Sequence, residues 1–462
     1  MKTLLFVTAI LFSFHLFAQN EKAFNLAYKK FAAEKIFKHA SISLLVIDNS
    51  GKKITAIHPE MGLAPASCQK VITASAAFEL LGHDYKYATS LAYTGTIING
   101  TLNGDIIIKG SGDPTLGSWR YSSAGEDAVI KEFSDAISRE GIHEITGHVY
   151  ADESLWNGET TPGGWIWEDI GNYYGAGARA LNWRENQYDL HLHSGKNIGD
   201  SLSITGTTPS FVDGLKLSME ATSAAKGTGD NSYIFIPQFS EYSTLRGTIP
   251  VDEDSFTISG AMPRPGRQLA ETLEASLKNI PVEDISAQEV TAHKTFDLPH
   301  TFYTHYSPTL DSMVYWFLKR SINLYGEALL KTLAYKYSGT GSTDSGVAVI
   351  QRFWNNKGID SYAMNIIDGS GLSPANRITT TVLTSVLQFA KKQSWFPSFY
   401  DALPVIDGIK MKSGSISGVV SYTGFIKSRS GREYTFAFIV NNFDGDSDNV
   451  RKKMWALLDL LK

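Results

Sequence analysis

The stretch Pro65-Ala66-Ser67-Cys68-Gln69-Lys70, running on into Val71, Ile72, Ala74, Ala77, Phe78 and Leu81, decides how this chain is read. Its apolar residues recur at helical spacing, so the segment predicts a buried helix beginning at Ser67 with proline just ahead of it. Residues three apart share a helix face, and Lys70 would lay its amine against the Ser67 hydroxyl. A serine beside a lysine is a nucleophile beside a base, provided that the amine can lose its proton. That requires a pKa well below the usual value of about 10.4, which burial and a second nearby cation both promote. A helix start also aims backbone N–H groups at developing negative charge, as an oxyanion hole requires.

S-x-x-K fixes only two positions and recurs by chance. Ser50-Gly51-Lys52-Lys53 and Ser223-Ala224-Ala225-Lys226 fit it too, but the first reads as a hairpin tip between two apolar runs and the second as a Gly/Thr/Asp/Asn-rich loop. Two further motifs give Ser67 its company. Ser321-Ile322-Asn323 falls between helical patterns at Met313 to Leu318 and Leu324 to Leu333, where a short break would present a hydroxyl and an amide; taken alone, both residues read as helix caps. Lys412-Ser413-Gly414 is the one K-[ST]-G of the chain and heads a strand-rich stretch from Ser415 to Ile426, so it reads as the beginning of an antiparallel hairpin. A peptide laid along such a strand edge would be held by main-chain bonds. Ser447-Asp448-Asn449 also matches the second pattern, but it follows the Lys-Ser-Gly and reads as a cap of the last helix.

These blocks resemble those of the class C low-molecular-mass penicillin-binding proteins, the penicillin-binding protein 4 type D-alanyl-D-alanine carboxypeptidases and endopeptidases. The resemblance rests on Pro65 to Lys70, Lys319 to Glu327, Asp368-Gly369-Ser370-Gly371-Leu372-Ser373 and Lys412 to Ser415. Lys109 to Leu116, Asp152 to Trp156 and Gly164 to Asp169 resemble further signatures of that family, from about Ser41 to the C-terminus. The resemblance implies that Ser67 is acylated, Lys70 is its base, Ser321 relays the proton to the leaving amine, and Asn323 orients Lys70 and the substrate amide. Lys412 and Ser413 would hold the terminal carboxylate of a D-alanine or a penicillin, the N–H groups of Ser67 and Ser415 would form the oxyanion hole, and Asp152 would help bind the stem-peptide side chain. Without the family, Asp152 and Glu153 read as exposed turn carboxylates. The implied partners are peptidoglycan peptides and β-lactam inhibitors, with no cofactor. The chain departs from the family at Ile322, where aspartate is frequent, at Ser413, where threonine is commoner, and at Pro374, where a basic residue often reads the stem peptide.

At 462 residues, with 43% hydrophobic and 12% aromatic content, the chain is long enough for two or three folded domains. A net charge of −5 and the lack of a basic run argue against nucleic-acid binding. Met1-Lys2-Thr3, an apolar run from Leu4 to Phe17 and Ala18-Gln19 have the form of a secretory signal, which places the mature protein in the periplasm with no membrane span. The single cysteine, Cys68, reads as packing.

The expected fold is α/β. A discontinuous β-lactamase/transpeptidase-like domain, a sheet flanked by helices, would be formed by 19–83 and 301–462 after a signal at 1–18. Two nested β-rich insertions would occupy 84–185 with 261–300, and 186–260. His191-Leu192-His193 puts two imidazoles on one strand face without an evident third metal ligand. A β-lactamase remains a rival, because Glu153-Ser154-Leu155-Trp156-Asn157 resembles a deacylation motif; a silent cell-wall binding protein is the other. Oligomeric state is left open.

Overall fold

A computed structural model describes residues 23–156, 158–236, 240, 242–277, 288–290 and 299–462. The signal at 1–18 lies outside them. The centre is a six-stranded sheet in the order Lys53–Ile57, Ser41–Asp48, Glu433–Asn441, Val419–Lys427, Ile409–Ile416, Val405–Ile406, all neighbours antiparallel. The two ends of the chain therefore meet in one sheet, with Ser41 opposite Asn441 and Asp48 opposite Tyr434.

Both faces of the central strands are covered, which explains why they read as unbroken apolar runs rather than as alternation. On one face Leu44, Val46, Tyr422, Phe436, Phe438 and Val440 pack with Phe24, Phe31 and Phe37 of the N-terminal segment and with Val450, Met454, Leu457, Leu458 and Leu461 of the C-terminal helix Ser447–Leu458 and the turn after it. On the other face Phe425, Ala437 and Ile439 join the core of the helices Lys70–Leu81, Leu310–Lys319, Asn323–Ser338, Thr343–Asn356 and Thr380–Ala390. The helix Asn323–Ser338 is buried over nearly its whole length, from Asn323 to Ala334.

Between Leu81 and Leu310 the chain builds other sheets. A five-stranded sheet runs Gln288–Val290, Val149–Asp152, Ile106–Lys109, Ala88–Tyr93, His300–Tyr306. Its last strand pairs with Ala88–Tyr93, so the return to the helical domain comes at Leu310 and not at 301. The named strands between Gln187 and Ala261 form two further sheets and pair among themselves. The insertion also contains two helices, Glu126–Arg139 and Pro265–Ser276, that a purely β-rich reading lacks; they cover the five-stranded sheet through Val129, Phe133, Ile137, Leu269 and Leu273.

Ser223 lies on a short strand, Thr222–Ala224, because Tyr242–Pro250 offers it a parallel partner that no sequence window contains. The last helix is capped by Asp446, whose carboxylate accepts the N–H groups of Asp448 and Asn449; Ser447 is already inside the first turn. The stretch from Ser415 to Ile426 is broken by a turn at Ser417-Gly418, with Gly418 in left-handed backbone at φ 68°, so the Lys-Ser-Gly motif sits inside the strand Ile409–Ile416.

Leu458 is fully buried against the outer face of the central sheet. Leu458→Ala is expected to remove about 2–5 kcal/mol of stability, seen as a lower midpoint of thermal unfolding.

Candidate active site

Ser67 does not open an α-helix directly. Ala66–Gln69 forms a 3-10 turn, with Ala66 in left-handed backbone at φ 46°, and the α-helix begins at Lys70. The turn is held from behind: the Pro65 carbonyl accepts the Cys68 N–H at 3.2 Å and the Ser421 hydroxyl at 2.5 Å. The Cys68 thiol is wholly buried and reaches the Lys412 carbonyl at 3.2 Å, and burial pushes its pKa up to about 11, as packing requires. Gly414 lets the third-motif strand close on this turn. A Cβ there would stand 2.5 Å from the Pro65 carbonyl oxygen and 2.8 Å from the Ser67 nitrogen.

Lys70 is 0% exposed and its Nζ has three neighbours: Ser67 Oγ at 2.9 Å, Asn323 Oδ1 at 2.6 Å and the Ser370 carbonyl at 2.7 Å. The last two only accept, so they take two N–H bonds of the amine. In the neutral form the remaining direction, that of the lone pair, falls on the Ser67 hydroxyl. Burial is the chief reason that Lys70 lies well below the ordinary lysine pKa, and the Lys412 cation adds to it. Lys412, 1% exposed, is itself lowered by burial to about 8; its ammonium donates to the Ser413 carbonyl at 2.7 Å.

The second motif occupies the break between Leu310–Lys319 and Asn323–Ser338. Neither Ser321 nor Asn323 caps the second helix; Ile322 holds that position without a side-chain bond. Ser321 instead stands in left-handed backbone, φ 59°, a conformation a serine keeps only where its surroundings impose it. Asn323 is fixed at both ends, because its Nδ2 donates to the Tyr174 carbonyl at 2.8 Å while its Oδ1 faces Lys70.

Ser67, Ser321, Asn323 and Ser415 share the lining of one cleft of about 610 Å³ with Ile166, Glu168, Asp169, Tyr173, Tyr174 and Tyr233 of the insertion. The Ser415 hydroxyl accepts from Arg451 of the C-terminal helix at 3.0 Å. Sequence reasoning passes over Asp169, which burial raises to about 6, and Asp368, whose carboxylate accepts Gln69 Nε2, Trp165 Nε1, Asn376 Nδ2 and the N–H groups of Gly371 and Ser373. The signal for both is the family blocks that contain them.

Asp152 is placed elsewhere. It ends the strand Val149–Asp152, 6% exposed, and its carboxylate accepts the Ser154 N–H at 2.9 Å; it is absent from the cleft lining. Lys412 and Ser413, to which the motif reading gives the terminal carboxylate, do not line this cleft either. Nor is the carboxylate pair an exposed turn, since Glu153 is buried on Arg179 at 3.0 Å. His191 is occupied by Thr257 and Thr208 at 3.0 and 2.9 Å, and among the described residues no three potential ligands gather for a metal.

A family model described as the D-Ala-D-Ala carboxypeptidase 3 (S13) family matches residues 32–461. The chain belongs to that family. This makes it a serine-type hydrolase of D-alanyl-D-alanine peptides. It is 24% identical over 411 residues to the D-alanyl-D-alanine carboxypeptidase DacB of Haemophilus influenzae, covering 84% of this chain and 82% of that one. It is also 24% identical over 439 residues to a D-alanyl-D-alanine carboxypeptidase of Actinomadura, covering 87% and 78%. The crystal structure of penicillin binding protein 4 from Haemophilus influenzae has the same fold, with a TM-score of 0.77 at 20% identity over 91% of this chain and 95% of that one.

Because Lys412 repels a charged Lys70, replacing it by a neutral residue raises the Lys70 pKa. The rising limb of the pH–rate profile for acylation is therefore expected to move to higher pH in Lys412→Gln. In the parent, kcat/KM for a substrate that carries a terminal carboxylate is expected to fall above pH of about 8, where Lys412 loses its charge. Stopped-flow acylation across pH checks both limbs.

Proposed function

We propose that Ser67 attacks the carbonyl of a D-Ala–D-Ala bond in peptidoglycan stem peptides, forming an acyl-enzyme that water then hydrolyses. The single observation that carries this reading is the Lys70 amine, held by Asn323 and Ser370 so that its lone pair meets the Ser67 hydroxyl. In the first step the Ser67 oxygen bonds to the carbonyl carbon while its proton passes to Lys70. The developing oxyanion sits against the N–H groups of Ser67 and Ser415. The C–N bond then breaks, and Ser321 passes the proton to the departing D-alanine amine. Lys412 and Ser413 take the terminal carboxylate. Water enters the ester by the same route in reverse, with Lys70 again as base.

The same chemistry cuts a cross-link whose amide follows a D-alanine, so endopeptidase activity is part of the proposal, as is trapping by β-lactams. Support for a periplasmic site of action comes from the signal-like N-terminal segment and from the peptidoglycan substrate itself, which lies outside the cytoplasm. Among the described residues no helix is long and apolar enough to cross a membrane. Glu168 and Asp169 make one wall of the cleft acidic, which suits a stem peptide with a cationic side chain.

A fluorescent penicillin is expected to label the protein in a bond that survives denaturing electrophoresis, and Ser67→Ala abolishes the label. Rapid loss of label with turnover of the antibiotic would instead indicate a β-lactamase, and an unlabelled parent a silent binder. A second measurement concerns the acidic wall. Asp169→Asn is expected to lower kcat/KM about tenfold for peptides with a side-chain amine, while leaving penicillin acylation unchanged. In the parent, preference for the amine grows as pH rises through about 6, where Asp169 ionises. Competition between amine-bearing and acetylated pentapeptides reads it directly.

A further inference from the structure

Lys70 owes its orientation to two acceptors, and one of them is a main-chain carbonyl on a loop. The Ser370 carbonyl belongs to the segment Asp368-Gly369-Ser370-Gly371, which has little regular hydrogen bonding of its own. Something must stop that peptide from rotating. Three side chains do so. The Glu327 carboxyl accepts the Gly369 N–H on both oxygens, at 3.1 and 3.0 Å. The Thr73 hydroxyl donates to the Gly369 carbonyl at 2.7 Å. Asp368 accepts the Gly371 N–H at 2.8 Å. The two peptides of Gly369 and, through the Gly371 N–H, the peptide of the Ser370 carbonyl itself are thus pinned, and Gly371, in left-handed backbone at φ 84°, has no room for a Cβ, which would stand 2.0 Å from the Ala66 carbonyl oxygen.

Glu327 lies one helical turn beyond Asn323 on the buried helix, so both Lys70 acceptors are set from the same face of one element. It is 0% exposed and does not line the cleft. We propose that Glu327 is a positioning residue for the acylation step: it anchors the Gly369 amide, and through it aims the Ser370 carbonyl that orients the Lys70 lone pair.

Charge explains why neutrality matters. Asp368 and Lys70 face Glu327 from the loop and from the nucleophile helix, and Lys331 stands one turn further along its own helix. Burial, followed by the Asp368 charge, raises Glu327 to about 8. At neutral pH it is therefore protonated, and it withholds from Lys70 the counter-charge that would favour the ammonium over the base.

The inference rests on the acyl-enzyme reading above, and penicillin acylation at pH 7 separates the two. The rate at saturating antibiotic reports the base; the half-saturating concentration reports binding. Glu327→Gln keeps a neutral oxygen acceptor and is expected to retain the saturating rate within about threefold, whereas Glu327→Ala loses about tenfold or more of it with half-saturation unchanged. Thr73→Val, which frees the neighbouring peptide at the Gly369 carbonyl, lowers the saturating rate in the same sense and keeps the question open to measurement if the alanine variant does not fold. A rate within about twofold of the parent in Glu327→Ala, or in Thr73→Val where the alanine variant does not fold, overturns the inference. A Gln variant as impaired as Ala overturns it too, since that result requires an ionised carboxylate. A parent chain that takes no label overturns the acyl-enzyme reading and this inference with it; a labelled parent with unaffected variants overturns the inference alone.

Discussion

A lysine amine taken wholly out of water must either find anions or give up its proton, and the site depends on the second outcome. Lys70 is enclosed by helix, loop and strand, and Lys412 lies near enough to repel its charge. Asp368 and Glu327 pull the other way, but Asp368 is saturated with N–H donors and Glu327 is held as the acid at neutral pH. The amine that results has two fixed acceptors and one hydroxyl around it. Removing either acceptor leaves the lone pair free to turn, and a base that points away from its proton is no base.

The insertion completes this arrangement. The carbonyl of Tyr174 fixes the Asn323 amide, the Trp165 indole donates to Asp368 at 2.9 Å, and the Gly164 carbonyl accepts the Ser373 hydroxyl at 2.7 Å. Buried Lys331 adds a further tie, donating to the carbonyls of Ala178 and Glu159. The same segment lines the cleft, so the part of the chain that holds the catalytic amide in place also shapes what enters. Gly164 to Tyr174 thus supplies both ties to the catalytic domain and part of the cleft wall.

Residues whose chemistry is local are legible in the amino-acid sequence. Ser67 and Lys70 are three apart on one turn, so their contact follows from helical geometry alone. The core face of the last helix, Val450 to Leu461, is equally plain from its spacing. Ser223 misleads for the opposite reason: it finds a strand partner well beyond its own sequence neighbourhood. Asp169 escapes a linear reading because a carboxylate in an aromatic loop has no meaning until the loop is placed against the catalytic helices.

By itself the sequence determined the family and the order of its motifs, because a serine three residues before a lysine and a second lysine in Lys-Ser-Gly are fixed by residue type and short spacing. Only the tertiary structure decided their charge states and aim. Burial, the approach of Gly414 to the Ser67 turn, the left-handed backbone at Ser321 and the pinning of the Ser370 carbonyl all arise between segments far apart along the chain. Proton affinity and orientation are set by the dielectric and by neighbours in space, and neither quantity is written in a local run of residues.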